Sequence, residues 1–326
     1  QPLAEVTKQS IMMKAKRVKL PQQKSTAFSA PSRIAINTSS REIFIIQEKP
    51  RVSMSGSILK KLRPHQCEGI KFLYHALAGN SAGHGAILAD DMGLGKTLTT
   101  LCILRLLAKA AICVNEDINC KKLRKVAILC PATLVMQWVK ENTKWFGSIS
   151  SNIQFIAAIE TPGAKYDGNS MSPQEAISSW NTLDGRNGCK VLVVSYETSL
   201  RNAQAIFHEN QLDGLIMDEG HRLKNATSKM TQLIRSCRAK TRLLITGTPA
   251  MNNLEEFFVL ADCVNPGIFG DIKAFKNNYV KAIDRGSKKD ASTTAIRAAQ
   301  EAQDTVRTIA KPFYLRRVAS EIKRDK

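Results

Sequence analysis

The sequence predicts an open, doubly wound α/β domain built on a mainly parallel sheet, and three observations carry that prediction. Short, near-continuous Val/Ile/Leu runs recur after residue 62. Helix-like amphipathic stretches separate them, so consecutive strands are joined by crossovers that cover both faces of the sheet. The first run, at 85–89, leads through a glycine-rich turn into a helix.

Residues 1–60 are rich in Lys, Ser, Gln and Pro and carry one β-like run, Glu42-Ile43-Phe44-Ile45-Ile46, so they read as a linker or accessory extension. Strands are expected at 85–89, 126–130, 153–159, 190–194, 214–217 and 242–245. Helices are expected near 65–78, 97–110, 132–145, 172–181, 227–237 and 254–263. Polar stretches at 111–125 and 161–188, with Gly, Asn, Asp and Lys, read as surface loops. After residue 265 the pattern is helical, about 271–284 and 291–310, and ends in Lys311-Pro312-Phe313-Tyr314-Leu315-Arg316-Arg317 and a basic tail. No internal repeat interrupts this order.

At 326 residues and 43% hydrophobic content the chain can bury a sizeable core. No apolar run approaches the roughly 18 residues needed to span a bilayer. The chain begins with Gln, and the expectation is a soluble fragment whose natural N-terminus lies further upstream. Its formal net charge of +20 favours a polyanionic partner, most simply nucleic acid or an anionic membrane surface. Thirteen Lys/Arg against Glu5, Glu42 and Glu48 place half of that charge in residues 1–63. Such a segment reads either as a solvated, partly disordered tail or as a DNA- or partner-binding arm. Within it, Lys14-Ala15-Lys16-Arg17-Val18-Lys19 is similar to a short nuclear import signal. The eight cysteines include no C-x-x-C pair and no histidine at ligand spacing, which argues against zinc. Cys67, Cys102, Cys130 and Cys189 fall in apolar patterns and read as small, reduced core residues of an intracellular protein.

The chemistry centres on Ile87-Leu88-Ala89-Asp90-Asp91-Met92-Gly93-Leu94-Gly95-Lys96-Thr97. This nearly matches G-x-x-x-x-G-K-[ST], with Asp90 where the pattern has its first glycine. Glycines between a strand and a helix let backbone N–H groups approach an anion, and the helix N-terminus adds positive potential. Lys96 would neutralise β- and γ-phosphates, and Thr97 would offer its hydroxyl to Mg2+. The cradle is taken to run from Asp91 through Met92, Gly93, Leu94, Gly95, Lys96 and Thr97 to Leu98. A strand-end acid pair follows in Leu215-Ile216-Met217-Asp218-Glu219, where Asp218 fits the metal side and Glu219 is placed to orient and deprotonate the attacking water.

Six segments in order carry a family resemblance: Leu62-Arg63-Pro64-His65-Gln66, Asp91 to Thr97, Cys130-Pro131-Ala132-Thr133-Leu134-Val135, Ser195-Tyr196-Glu197-Thr198, Asp218-Glu219-Gly220-His221-Arg222-Leu223-Lys224-Asn225 and Thr246-Gly247-Thr248-Pro249. Together they resemble the Swi/Snf family of helicase-like, double-stranded-DNA translocases. The stretches Asp218 to Asn225, Val264-Asn265-Pro266-Gly267-Ile268-Phe269-Gly270 and Phe313-Tyr314-Leu315-Arg316-Arg317 look most like the branch that partners a RecA-like recombinase in recombinational repair. The resemblance implies a RecA-like P-loop lobe over 61–318, with ATP and Mg2+ as cofactors and a nuclear location. It implies sequence-independent duplex DNA as partner, with no membrane. Residues 319–326 would begin a linker to a second lobe, which carries the arginine finger in the family.

Roles follow from the same resemblance. Gln66 looks like the adenine-reading glutamine, with Arg63 on or near the base. His221, Thr246 and Thr248 resemble elements that couple phosphate state to DNA grip. Thr133, Ser195 and Tyr196 resemble segments that touch the phosphates of the tracked strand. The residues themselves leave other roles open: a cap and tight turn for His221 and the threonines, a helix cap for Pro131-Ala132-Thr133, a core position for Tyr196. An acidic or small residue at Asp90 is usual in the family resembled. Met251 stands where the family commonly has Gln, while Asn252 and Glu256 match, so the departure bears on coupling efficiency. A nucleosome-remodelling motor is the alternative within the family. A DEAD-box RNA helicase would read Ser-Ala-Thr at 246–248, and an idle scaffold has no need of Lys96, Thr97, Asp218 and Glu219 together.

Overall fold

The computed structural model describes residues 43–47, 52–55, 58–78, 85–110, 123–147, 153–160, 170–182, 188–208, 212–248, 251 and 253–322. The basic cluster at Lys14–Lys19 and cysteines Cys113 and Cys120 lie outside the described residues, as do Pro249 and Asn252.

Two short strands, β1 (Ile43–Gln47) and β2 (Val52–Ser55), pair antiparallel as a separate two-stranded sheet, so the β-like run of the extension is a hairpin arm. The main sheet holds β3 (Gly85–Leu88), β4 (Lys125–Cys130), β5 (Ile153–Ala158), β6 (Ser170–Met171), β7 (Cys189–Ser195), β8 (Gly214–Met217), β9 (Thr241–Ile245) and β10 (Tyr314–Leu315). All eight run parallel in the order β10-β3-β9-β8-β4-β7-β5-β6. The six strands expected from the sequence are present to within a residue or two.

The sheet is apolar on both faces because successive side chains point to opposite sides and each side is covered. Ala127 and Leu129 of β4, Leu192 and Val194 of β7, and Leu215 and Met217 of β8 belong to one core. Val126, Ile128 and Cys130, Val191 and Val193, and Ile216 belong to the other. The second core is closed by α1 (Pro64–Leu77), α2 (Lys96–Ala110) and α3 (Val135–Phe146). The first is closed by α4 (Pro173–Asn181), α5 (Tyr196–Arg201), α6 (Lys229–Ser236), α7 (Leu254–Val264) and later helices. Burial pushes the Cys102 and Cys189 thiols up to about 12, as expected of inert core residues.

Local signals fix where these helices begin. Ser172 caps α4 in a reciprocal box with Glu175, and Pro173 occupies the first turn, where its missing N–H has no partner to lose. Ser228 caps α6, and Asn253 accepts from the Glu255 and Glu256 amides at the start of α7. The helix expected at 271–284 is broken differently. It comprises α8 (Ile272–Phe275), a π-turn at Lys276–Val280 and α9 (Lys281–Gly286). Phe275 and Tyr279 stack across the wider turn at 5.3 Å. Helix α10 (Thr293–Ala310) then packs back on α9.

The chain returns to the sheet edge after α10. Ile87 and Ala89 donate their amides to Phe313 and Leu315 at 2.7 Å, and Asp91 donates to Arg317 at 3.0 Å. This pairing is too short and too remote in sequence to leave a periodic signal. It brings Arg317 onto Asp90, whose carboxylate is 2% exposed. Oδ1 accepts from the Arg317 amide at 3.0 Å and from Nε at 3.1 Å, while Nη2 closes on Oδ2 and Nη1 reaches the His65 carbonyl. Asp91 accepts from the Ala319 amide at 3.1 Å and from Arg316 Nη2 at 3.4 Å. The last described element is α11 (Ala319–Ile322).

Asn265, just after α7, holds the other end of β3. Its Oδ1 accepts from the Gly85 amide at 2.9 Å, and its Nδ2 donates to the Gly85 carbonyl at 3.1 Å. Two stability predictions follow from these ties, both read by urea unfolding. Arg317→Met leaves Asp90 buried without its cation and should cost about 3–5 kcal/mol; a loss below about 1 kcal/mol would show that the pair does not hold the edge. Asn265→Ala should cost about 1–3 kcal/mol for each Gly85 group left unpaired, and an unchanged midpoint would contradict that role.

Candidate nucleotide-binding site

The turn after β3 has the backbone of an anion cradle. Gly93 and Gly95 take φ of +83° and +81°, a region that other residues enter at a cost. A side chain at Gly93 would meet nothing within 4 Å, so the space beside this backbone is open. Lys96 opens α2 and folds back, donating from Nζ to the Asp90 carbonyl at 2.7 Å and the Asp91 carbonyl at 3.1 Å. No carboxylate touches it among the described residues. Burial holds the Lys96 amine below its ordinary pKa, and Asp90, Glu219, Asp218 and Asp91 oppose that shift through space. An ammonium with carbonyl partners only, at a helix N-terminus beside an open glycine turn, fits a phosphate group.

The acid pair follows β8, two strands from β3. Asp218 continues the ladder, donating its amide to the Leu129 carbonyl at 2.8 Å. Its Oδ2 accepts from Trp138 Nε1 at 2.9 Å, and its Oδ1 accepts from the Glu219 amide at 2.9 Å. Tyr196 donates its hydroxyl to the Asp218 carbonyl at 2.8 Å. Burial raises the Asp218 pKa, against the hydrogen bonds from Trp138 and the Glu219 amide. Glu219 adopts φ 51° and ψ 50°, the one left-handed non-glycine residue among the described residues. Such a backbone costs about 1–3 kcal/mol and persists where surrounding structure enforces it, often at functional sites. His221 Nδ1 lies 3.2 Å from Glu219 Oε2 without hydrogen-bond alignment. Asp218 and the Thr97 hydroxyl are oxygen donors of the kind Mg2+ takes, one or two from protein with phosphate and water completing the shell.

The Thr-Gly-Thr turn lies between these halves because β9 separates β3 from β8. Thr246 donates its amide to the Leu88 carbonyl at 3.0 Å, and its Oγ1 sits 3.0 Å from Thr248 Oγ1. A Cβ at Gly247 would lie 2.9 Å from Met92 Cγ and 3.7 Å from Lys96 Nζ, so this turn rests directly on the cradle. A larger residue there would push the exposed Met92 side chain aside. Met251 packs half-buried against the core, and Glu256 pairs with Lys224 at 3.5 Å.

Several residues expected at the site serve the protein itself. Gln66 is buried. Its Oε1 accepts from the Arg63 amide at 2.9 Å as a helix cap, and its Nε2 faces the Leu94 carbonyl at 3.5 Å, while Arg63 is exposed. Leu94 and Leu98 are buried core residues and Asp91 is held by the C-terminal segment, so their side chains do not face the cradle. Met92 is 78% exposed at the tip of the loop. Thr133 is exposed on a single 3-10 turn at Ala132–Leu134 before α3, as a phosphate contact requires. Ser195 and Tyr196 are buried instead: Ser195 Oγ caps α5 by accepting from the Thr198 amide at 3.0 Å, and Tyr196 serves Asp218. These two side chains therefore hold structural roles, the core position left open for Tyr196 among them, and take no part in any contact of the segment with DNA. Sequence reasoning missed Trp138 and the function of Arg316 and Arg317. Trp138 had no local signal beyond an apolar helix position, whereas the arginines had been visible as part of the chain's closing motif.

Comparison with known proteins places the chain. Residues 65–325 match the family model described as SNF2-related domain. The chain is 31% identical over 303 residues to "DNA repair and recombination protein RAD54" of Saccharomyces cerevisiae, covering 82% of this chain and 33% of that protein. It is 35% identical over 268 residues to "DNA repair protein rhp54" of Schizosaccharomyces pombe, covering 78% and 30%. It is 34% identical over 270 residues to "Protein CHROMATIN REMODELING 25" of Arabidopsis thaliana, covering 82% and 28%. The chain thus spans about a third of the length of these relatives. A solved "Sulfolobus solfataricus SWI2/SNF2 ATPase core in complex with dsDNA" shares the fold, with a TM-score of 0.56 at 24% identity over 79% of this chain and 44% of that one. With its family-model match, its recombination-repair relatives and its RecA-like parallel sheet, the chain belongs to the SNF2-related domain family.

Proposed function

We propose that this chain is the ATP-binding lobe of an ATP-dependent double-stranded-DNA translocase acting in homologous-recombination repair, with hydrolysis completed at the interface with a second lobe. The observation that carries the reading is Lys96, a half-buried ammonium held on two carbonyls beside an open glycine turn and facing the field of Asp218 and Glu219. Recombination-repair relatives along four-fifths of the chain support the pathway, and the net charge of +20 supports a polyanionic track. The duplex held by the Sulfolobus solfataricus protein supports double-stranded DNA as that track. A nuclear location and a RecA-like recombinase as partner belong to the same reading.

In this reading Lys96 exchanges its carbonyl partners for β- and γ-phosphate oxygens, and the amides of Gly93 to Thr97 line the phosphates. Magnesium-bound ATP supplies the transferable phosphoryl group and a cation that neutralises its charge. Asp218 and Thr97 hold the metal side, and Glu219 orients the attacking water and accepts its proton. Gln66 presents its amide to the base edge by releasing the long Leu94 contact first. Thr246 and Thr248, resting on the cradle through Gly247, report the state of the phosphates to the DNA side.

Turnover is best measured on the chain extended through a second lobe, with duplex DNA, single-stranded DNA, RNA and nucleosomes compared. Stimulation by duplex DNA is expected, whereas stimulation by nucleosomes alone would move the protein to the remodelling class. Lys96→Ala should weaken nucleotide binding roughly 10- to 100-fold, the value of charge-assisted hydrogen bonds. Glu219→Gln should keep binding and lower turnover by about 10²–10⁴-fold, as loss of a general base does. An arginine finger contributes about 10³–10⁵ in rate, so residues 1–326 alone should turn over very slowly. Robust DNA-stimulated turnover by residues 1–326, abolished by Lys96→Ala, would contradict the need for a second lobe.

A further inference from the structure

The sheet register puts three strand ends in a row. Leu129 of β4 is paired with Met217 of β8, and Cys130 of β4 is paired with Ser195 of β7. The segments leaving these ends are Asp218-Glu219, the exposed turn at 131–134 that starts α3, and Tyr196 at the start of α5. From α3, Trp138 donates its indole N–H to the Asp218 carboxylate at 2.9 Å. From α5, Tyr196 donates its hydroxyl to the Asp218 carbonyl at 2.8 Å. Both side chains are buried, at 2% and 4% exposure, so neither polar atom is available to a ligand.

We infer that Trp138 and Tyr196 are positioning residues that set the orientation of Asp218 and tie it to the strand ends of β4 and β7, so that displacement of that sheet edge is felt at the metal-side acid. The inference rests on the proposed reading of Asp218 as that acid. An indole is a donor only, and a phenylalanine would fill much of the same core space without a polar atom to satisfy. The choice of tryptophan therefore places a donor on Oδ2 while the Glu219 amide occupies Oδ1, which leaves each carboxylate oxygen a further lone pair. The other two tryptophans donate elsewhere: Trp145 to Glu141 at 2.6 Å and Trp180 to the Lys190 carbonyl at 3.2 Å. A third tie comes from the exposed side, where Arg222 bonds Glu197 at 2.8 Å and lies 5.9 Å over the Tyr196 ring. Outer partners that orient a metal-binding carboxylate typically contribute 10- to 100-fold in metal affinity.

The test uses residues 1–326 and the non-hydrolysed nucleotide AMP-PNP. Trp138→Phe and Tyr196→Phe should each weaken nucleotide binding about tenfold or more at limiting Mg2+ and leave binding in EDTA unchanged. A merely structural role would weaken both alike. In the unsubstituted protein labelled with ¹⁵N-tryptophan, the Trp138 indole resonance should shift on addition of Mg2+·AMP-PNP and again on a short DNA duplex, with Trp180 unmoved. This arm needs no variant, so it decides the matter if Trp138→Phe fails to fold. Lys96-dependent binding of nucleotide with an unmoved Trp138 indole, or with equal losses with and without Mg2+, overturns the inference and leaves the proposed function standing. Absence of nucleotide binding that Lys96→Ala can abolish overturns both.

Discussion

The pair between Asp90 and Arg317 is the constraint on which the site depends. It joins residues 227 positions apart, buries a carboxylate at 2% exposure and seats the C-terminal segment beside β3. Removing the charge of either partner alone would leave the other without compensation, so the geometry is held strongly whatever the pair's net contribution to stability. Its consequence is local and chemical. With the side chain of Asp90 drawn back onto Arg317, its carbonyl is left at 2.7 Å from Lys96 Nζ. The residue that breaks the phosphate-loop pattern is thus the one that anchors the loop, and the strict glycine becomes unnecessary because its place is occupied by a braced side chain.

That anchoring explains how a loop can be both open and fixed. Gly93 and Gly95 supply the left-handed backbone, and the open space beside Gly93 is where an anion can approach. Asp91 is tied to Arg316 and Ala319, and Leu94 is buried, so the loop is held by the protein while the space beside Gly93 stays open. Lys96 is the part free to change partners. Its carbonyl contacts have only one ionised partner, and an anion outcompetes them because it adds the opposite charge.

Much of this was legible in the sequence, for a physical reason. Strands buried on both faces are written as unbroken apolar runs, so β3, β4, β5, β7, β8 and β9 could be read to within a residue or two. Helices with polar caps were similarly visible, as at Ser172-Pro173-Gln174-Glu175. What could not be read depends on partners far away in the chain. Strand β10 is two residues long and exists only because β3 has an unpaired edge. The π-turn at Lys276–Val280, where the Phe275 and Tyr279 rings meet at a tilt of 55°, interrupts what reads in the sequence as one continuous helix. At the site, residue types pointed to phosphate chemistry at Lys96, Asp218 and Glu219, and burial turned others to the protein's own structure. Ser195, Tyr196 and Gln66 carry polar atoms suited to ligands, and each is turned inward onto a cap or a carbonyl.

The same inward turn gives the acid pair its character. Asp218 is desolvated, which alone would favour the protonated form, yet the indole of Trp138 and the amide of Glu219 each donate to the carboxylate and favour the charged one. Those donors come from α3 and from the strained residue Glu219 itself, whose amide lies in the peptide plane it shares with Asp218, and both oppose the upward shift that burial imposes. A glycine at 219 would relieve the strain and lose the carboxylate that His221 faces. Asp218 and Glu219 are therefore joined twice, by their peptide bond and by the amide on Oδ1, so the strained residue that presents one carboxylate stands directly beside the other and braces it.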